Sequence, residues 1–277
     1  MKTKYSLKDV GKNLGSADTP IGVILIRPFS MRISWFLVNF TKLTPTQLSF
    51  LGLFVGIGGA VAFYYQMFIL GAILSLARYL FDCFDGIVAR VKGITSKYGA
   101  FLDNYAGLLS SALTIPGLCF GLYFYSGNII WLYIAPFMAM ILTYHIIESL
   151  IIARVLGDKA FTESVRTVGE ASRKGLIAKL KYFLKKHQMS DPFGTGDLRL
   201  LLFVVGPLFG ITYIVFWFCL IVFSLKEVFF FFYYSGLLKS ADKLNKKNSA
   251  DDSNNDRSNN SNNQNAAEEI DSKGEEN

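Results

Sequence analysis

Charge is scarce in this chain. Only 18% of its 277 residues are Asp, Glu, Lys or Arg, and there are 2 histidines, 3 cysteines and 7 prolines. Cys83, Cys119 and Cys219 all lie in apolar stretches at unrelated spacings. They fit neither a disulfide framework nor a CxxC metal site, which leaves buried free thiols as the expectation. No stripe of basic and aromatic residues suggests a strand-binding groove, so the net charge of +7 is not read as affinity for nucleic acid. Arg27, Pro28 and Arg32 break the first apolar run, so a cleavable signal peptide is not expected. No internal repeat stands out.

What fills the chain instead is apolar surface. Hydrophobic residues make up 52%, aromatics 15%, and mean hydropathy is +0.35. Apolar runs of 18 or more residues recur, each enough to cross a hydrocarbon core of about 30 Å. The expectation is an all-α integral membrane protein, with backbone groups satisfied inside each helix.

Six spans are placed near 45–66, 68–90, 99–125, 129–153, 198–214 and 215–238. The connections at 65–68 and 125–129 carry no charge, whereas 1–42, 90–98, 154–197 and 239–247 hold most of the Lys and Arg. The positive-inside rule then puts both termini, the 90–98 turn and the 154–197 loop in the cytoplasm. Lys226 and Glu227 interrupt the last span, which could end there. Within residues 29–41, Phe29, Ile33, Phe36, Leu37 and Phe40 fall near one helical face. That pattern suits an interfacial amphipathic helix, favoured over an early start to span one because Thr44-Pro45 supplies a fresh cap and helix start. Three parts result: a cytoplasmic N-terminus with the interfacial helix at 1–43, a membrane domain at 44–238, and a polar, acidic tail at 239–277. The tail is too poor in apolar residues to fold. RKGLIAKLKYFLKKH, within 154–197, reads as a basic face lying on anionic lipid, with a substrate-phosphate role for one lysine as the alternative.

Against this background three acids stand out in DCFDGIVARVKGITSKYGAFLDNYAGLL, residues 82–109. Centred in a bilayer, three Asp residues would cost roughly 8–10 kcal/mol, and less near its edge. Asp82 and Asp85 are i,i+3 and share a helix face. After the turn, Asp103 can face the same pair. Three carboxylates at a water-accessible depth suit a hard divalent cation. Gly86, Ala89 and Gly99 flank them, and such small residues either let helices approach closely or leave room for a ligand.

The stretch resembles the signature of the CDP-alcohol phosphatidyltransferase superfamily, D-x2-D-G-x2-A-R-x8-G-x3-D-x3-D. Asp82, Asp85, Gly86, Ala89, Arg90, Gly99 and Asp103 fall on seven of its eight defined positions. LIRPFSMRISWFLVNFTKLTPTQLSFLGL resembles the family's amphipathic helix and the start of its first span, with Thr46 where Asn is usual. The likeness runs over roughly 25–238 and leaves the acidic tail outside. It implies a phosphotransferase in which a CDP-linked alcohol gives its substituted phosphate to a polar alcohol or phospho-alcohol and releases CMP. By the same resemblance Asp82, Asp85 and Asp103 would hold Mg²⁺ or Mn²⁺ at the cytoplasmic membrane surface. Gly86, Ala89, Arg90 and Gly99 would border the donor, Arg90 either pairing with phosphate or bracing the acids. The resemblance also brings a homodimer into consideration.

The eighth position is Gly107, where the family carries an Asp thought to act as general base and to help bind a second metal. No acid stands at 104–111 to replace it. A positioned base contributes about 10²–10⁴-fold, or about 3–5 kcal/mol. Three readings follow. Another group takes the proton, with Asp103 a candidate and His145 and Glu148 the i,i+3 pair on span four, which could equally satisfy each other inside the bundle. Alternatively, the acceptor needs no protein base because it is already anionic or supplies its own. The third reading is a homologue that binds a CDP-lipid or metal, or assists membrane assembly, without turnover.

Overall fold

A computed structural model describes residues 4–14, 21–144, 195–229, 231–232, 235–236 and 238–239. Regular structure among the described residues is entirely helical. Nearly all of it belongs to one compact unit, Met1–Glu148 with Ser172–Glu227. A second unit, Ser149–Ala171 with Val228–Asn277, has few described residues.

The chain opens with a short helix, α1 (Leu7–Lys12), fixed by a capping box in which Ser6 and Asp9 bond each other's backbone N–H. A π-helical turn, Gly22–Ile26, leads into α2 (Arg27–Phe40). Helix α2 buries Ser30, Ser34 and Val38 and exposes Phe29, Ile33, Phe36 and Phe40. Its small polar face meets the protein and its aromatic face points away from it.

Helix α3 (Pro45–Tyr64) starts at a second capping box, Thr44 with Gln47, and Pro45 at the first helical position needs no N–H partner there. Helix α4 (Phe68–Lys92) ends at Gly93, which takes φ 67° and lets Ile94 N–H reach the Ala89 carbonyl. Helix α5 (Lys97–Ser126) starts at Ser96 and stops at Gly127, again left-handed. Then come α6 (Ile130–Tyr144) and α7 (Thr195–Leu200), the latter continuing through a π-helical segment (Leu201–Val205) into Gly206–Leu208. A turn at Gly210, φ 68°, precedes α8 (Thr212–Phe229).

Three of these, α3, α5 and α8, are long and apolar enough to cross a membrane. At 25 residues α4 is long enough too, but it carries Arg78, Asp82, Asp85, Arg90 and Lys92. Helix α6 as described has only 15 residues, and residues 145–194 and most beyond 229 lie outside the described part. The 154–197 loop and the 239–277 tail therefore fall almost wholly outside it.

Helix α3 packs on both α4 and α5. Its crossing with α5 is built on small residues: a Cβ at Gly117 would overlap the Ala60 carbonyl oxygen, and one at Gly121 the Phe63 carbonyl oxygen. Backbones this close are the packing mode of membrane helices, where apolar burial alone gives little drive for association. The apolar core gathers at that end, with Phe63, Leu118, Trp131, Met138, Leu202 and Phe216 among its members. The acids lie toward the opposite ends of α4 and α5, beside a second apolar cluster that includes Leu48, Phe84, Ile87 and Val88.

Candidate active site

The Gly93–Ser96 connection brings the C-terminal half of α4 beside the N-terminal half of α5. Asp82, Asp85 and Asp103 thereby enter one electrostatic cluster: Asp103 interacts with both other acids and with Arg78. Each acid has a different immediate partner. Asp85 is 4% exposed, and its Oδ2 accepts a 2.6 Å hydrogen bond from Ser49 Oγ on α3. Asp82, with its side chain 49% exposed, lies one turn from Arg78, Nη1 to Oδ1 3.2 Å. Asp103 has a buried Oδ1 with no hydrogen-bond partner.

Two cavities meet this cluster, and they share no lining residue. One of about 210 Å³ is lined by Ser49, Asp85, Gly86, Ala89, Arg90, Gly99 and Asp103, together with Pro45, Thr46 and residues of the α4–α5 turn. Six of the seven matched motif residues thus surround one space. The other, of about 310 Å³, takes Asp82 and Gly107 into its wall, with Arg78, Tyr79, Ser110, Thr114 and Arg199.

The small motif residues have concrete neighbours. A Cβ on Gly86 would come within 3.2 Å of Arg90 Nη1, so Gly86 clears the path of that guanidinium. Arg90 Nε donates to the Asn13 carbonyl at 2.7 Å, which ties the motif to the segment after α1. Gly99 sits in the first turn of α5, where its N–H donates to Ser96 Oγ at 2.9 Å and a Cβ would come within 3.1 Å of that oxygen. It thereby helps set the turn that brings Asp103 to the pair. His145 and Glu148 lie outside the described residues.

The chemistry of the donors fits a hard divalent cation: all are carboxylate oxygens, and the buried Asp103 Oδ1 lacks any other partner. Their positions are not those of a closed coordination shell. Among the described residues no three His, Cys, Asp or Glu side chains stand ready to hold a metal ion together. Asp82 leans on Arg78 and Asp85 on Ser49, and a bound cation would compete with both contacts.

The sequence reading missed Ser49, Arg78 and Arg199. Arg78 had a signal, being a cation one turn before Asp82 inside an apolar helix. Arg199 and Ser49 had none, since nothing local distinguishes them from a loop-proximal cation and a helix serine.

The family model for CDP-alcohol phosphatidyltransferase matches residues 42–225, about two thirds of the chain. Among curated proteins, an archaetidylinositol phosphate synthase of Pyrococcus horikoshii is 30% identical over 128 residues, covering 46% of this chain and 64% of that protein. A bifunctional IPC transferase and DIPP synthase of Aquifex aeolicus is 40% identical over 101 residues, covering 36% of this chain and 22% of that protein. The match therefore spans less than two thirds of either relative.

Proposed function

Because the chain belongs to the CDP-alcohol phosphatidyltransferase family, we propose that it moves a substituted phosphate from a CDP-linked alcohol to a polar alcohol and releases CMP. The observation that carries this reading is the cavity lined by six motif residues, with the seventh, Asp82, in the wall of the other cavity. In this reading the smaller cavity takes the donor. Ser49 orients Asp85, Arg90 closes the far side, and Gly86 and Ala89 leave space for the nucleotide. Asp82, Asp85 and Asp103 would hold Mg²⁺ or Mn²⁺, which would neutralise charge on the diphosphate and on departing CMP.

The acceptor oxygen attacks the phosphorus nearer the donor alcohol, and the bond from that phosphorus to the bridging oxygen breaks as CMP leaves. The acceptor proton passes to a carboxylate. Asp103 is the candidate, four residues before Gly107 on the same face of α5 and carrying an unpartnered buried oxygen.

The membrane arrangement that accompanies this reading has six spans, with α2 in the interface and both termini and the acids on the cytoplasmic side. The exposed aromatic face of α2 and the basic segments at 1–42 and 90–98 support it. Assembly as a homodimer belongs to the same reading. Gly107 favours a second one, a CDP-lipid-binding homologue without turnover, because it removes the residue the family uses as base.

The test is CMP release from CDP-diacylglycerol and other CDP-alcohols by purified protein with Mg²⁺ or Mn²⁺ and a panel of acceptors. Metal-dependent CMP release, lost in Asp82→Ala and Asp103→Ala, is expected. No CMP, or CMP indifferent to those changes, overturns the enzyme reading, and tight CDP-alcohol binding without turnover establishes the second.

A further inference from the structure

The motif arginine is anchored from outside the region that the family model matches. That region begins at residue 42, whereas Arg90 Nε donates to the carbonyl of Asn13, 77 residues earlier in the chain. Asn13 is the C-cap of α1, so this carbonyl stands at a helix end, where the last oxygens find no partner within the helix.

Helix α1 is fixed to the bundle independently of Arg90. Val10, fully buried, enters an apolar cluster with Val38 of α2, Leu48 of α3, and Phe84, Ile87 and Val88 of α4. Just before the helix, α2 takes both backbone groups of Tyr5. The Tyr5 N–H donates to Asn39 Oδ1 at 3.0 Å, and its carbonyl accepts from Trp35 Nε1 at 3.0 Å and Asn39 Nδ2 at 3.1 Å. The Ser6–Asp9 capping box closes the turn between these two anchors.

An exposed arginine ordinarily samples many rotamers, and that freedom opposes binding of any ligand that must order it. Arg90 is exposed, but the bond at Nε fixes one edge of its guanidinium plane. Nη1 and Nη2 then lie over Gly86, where an added Cβ would come within 3.2 and 3.4 Å of them, in the wall of the cavity that also holds Asp85 and Asp103. Arginine suits this arrangement because one nitrogen can be held while two others meet phosphate oxygens; an ammonium has a single nitrogen.

We propose that residues 4–14 form a clasp that positions Arg90 toward the phosphate groups of the donor. The Asn13 carbonyl is the positioning group, and Trp35 and Asn39 hold the segment through Tyr5. The proposal rests on the transferase reading above and adds to it a part of the chain that the family model leaves out. Docking of the segment and binding of the donor are then coupled, and each strengthens the other by the same factor.

The test is binding of CDP with Mg²⁺ to the full chain in detergent micelles, with CMP release from CDP-diacylglycerol measured alongside. Trp35→Phe combined with Asn39→Leu releases Tyr5 while keeping side-chain bulk, and Asp9→Ala opens the capping box at an exposed position. None of these three residues lines either cavity. Both variants are expected to bind CDP about 3- to 10-fold more weakly, the range set by one side chain left unordered. In an Arg90→Ala background the same changes should weaken binding no further, whereas a merely structural role would weaken it equally in both backgrounds. Hydrogen exchange needs no variant: backbone amides of residues 6–13 should exchange about 3- to 10-fold more slowly with CDP bound. If the double variant does not fold, Asp9→Ala and the exchange measurement decide the matter. Full CDP affinity in the folded variants, equal loss with and without Arg90, unchanged exchange, or no CDP binding by the unaltered protein overturns the proposal. CMP release decides the transferase reading separately, and its absence beside a clasp-dependent CDP affinity defeats that reading alone.

Discussion

Replacing Gly121 by Ala puts the α3–α5 crossing to a quantitative test. The new methyl would overlap the Phe63 carbonyl oxygen and lie 3.0 Å from the carbonyl carbon. Both atoms belong to a helix backbone, so no side chain can swing aside and the helices must separate. Overpacking of this kind costs about 1–3 kcal/mol. Against it stands the gain of Ala over Gly in a helix interior, up to about 1 kcal/mol. Gly58 supplies the control, because its nearest new neighbour would be Leu74 Cδ1 at 3.6 Å, an ordinary contact. Gly58→Ala should therefore be neutral or stabilising, and Gly121→Ala less stable than it by about 1–3 kcal/mol. Gly117→Ala, directed at the Ala60 carbonyl, should behave like Gly121→Ala. The double variant should lose less than the sum, since one separation relieves both overlaps. Tryptophan fluorescence during SDS titration of the micelle-bound protein measures all four. Equal unfolding free energies for Gly121→Ala and Gly58→Ala would refute the close crossing. Separation should also move Ser110 away from Gly56.

Ser49→Ala removes the 2.6 Å donor to Asp85. Leaving a buried acceptor without its partner costs about 1–3 kcal/mol, so thermal stability without divalent ions should fall, and an unchanged melt would show that the bond is idle. At the other end of the chain, the hydrogen bond from Ser6 Oγ holds the Asp9 carboxyl below its ordinary value. Its folded pKa is depressed, so its contribution is complete above the ordinary value of about 3.9 and disappears as pH falls through the folded one. Below about pH 4 the N-terminal segment should loosen, visible as a red shift of Trp35, whose Nε1 bonds the Tyr5 carbonyl; Asp9→Asn should remove that pH dependence.

Much of the helical layout could be read from sequence because its signals are local. Thr44-Pro45 begins α3, Gly93 ends α4 and Ser96 begins α5 through caps that involve only a few neighbouring residues. The acids were legible for the same reason: a charge in an apolar run is expensive wherever it sits. Arg78 was not, although its cost is just as visible. Lys and Arg in such a chain mark cytoplasmic loops, and the significance of this one depends on Gly52, Gly56 and Gly107, residues on two other helices. Gly107 accordingly looked like a subtraction from the motif, and only its distance to Arg78 Nη2 reveals what stands beside the gap. Gly99 shows the reverse case. The motif associated it with substrate, while its hydrogen bond to Ser96 gives it a part in the turn.

The separate linings of the two cavities have a consequence for how such a protein changes over generations. Substitutions at Arg78, Arg199 or Gly107 alter one chamber and leave every residue around the other intact. A lineage could vary the lining of the larger cavity in a handful of codons while the motif-lined one stays as it is. Within such a family, divergence should concentrate on the α7 side of the acids.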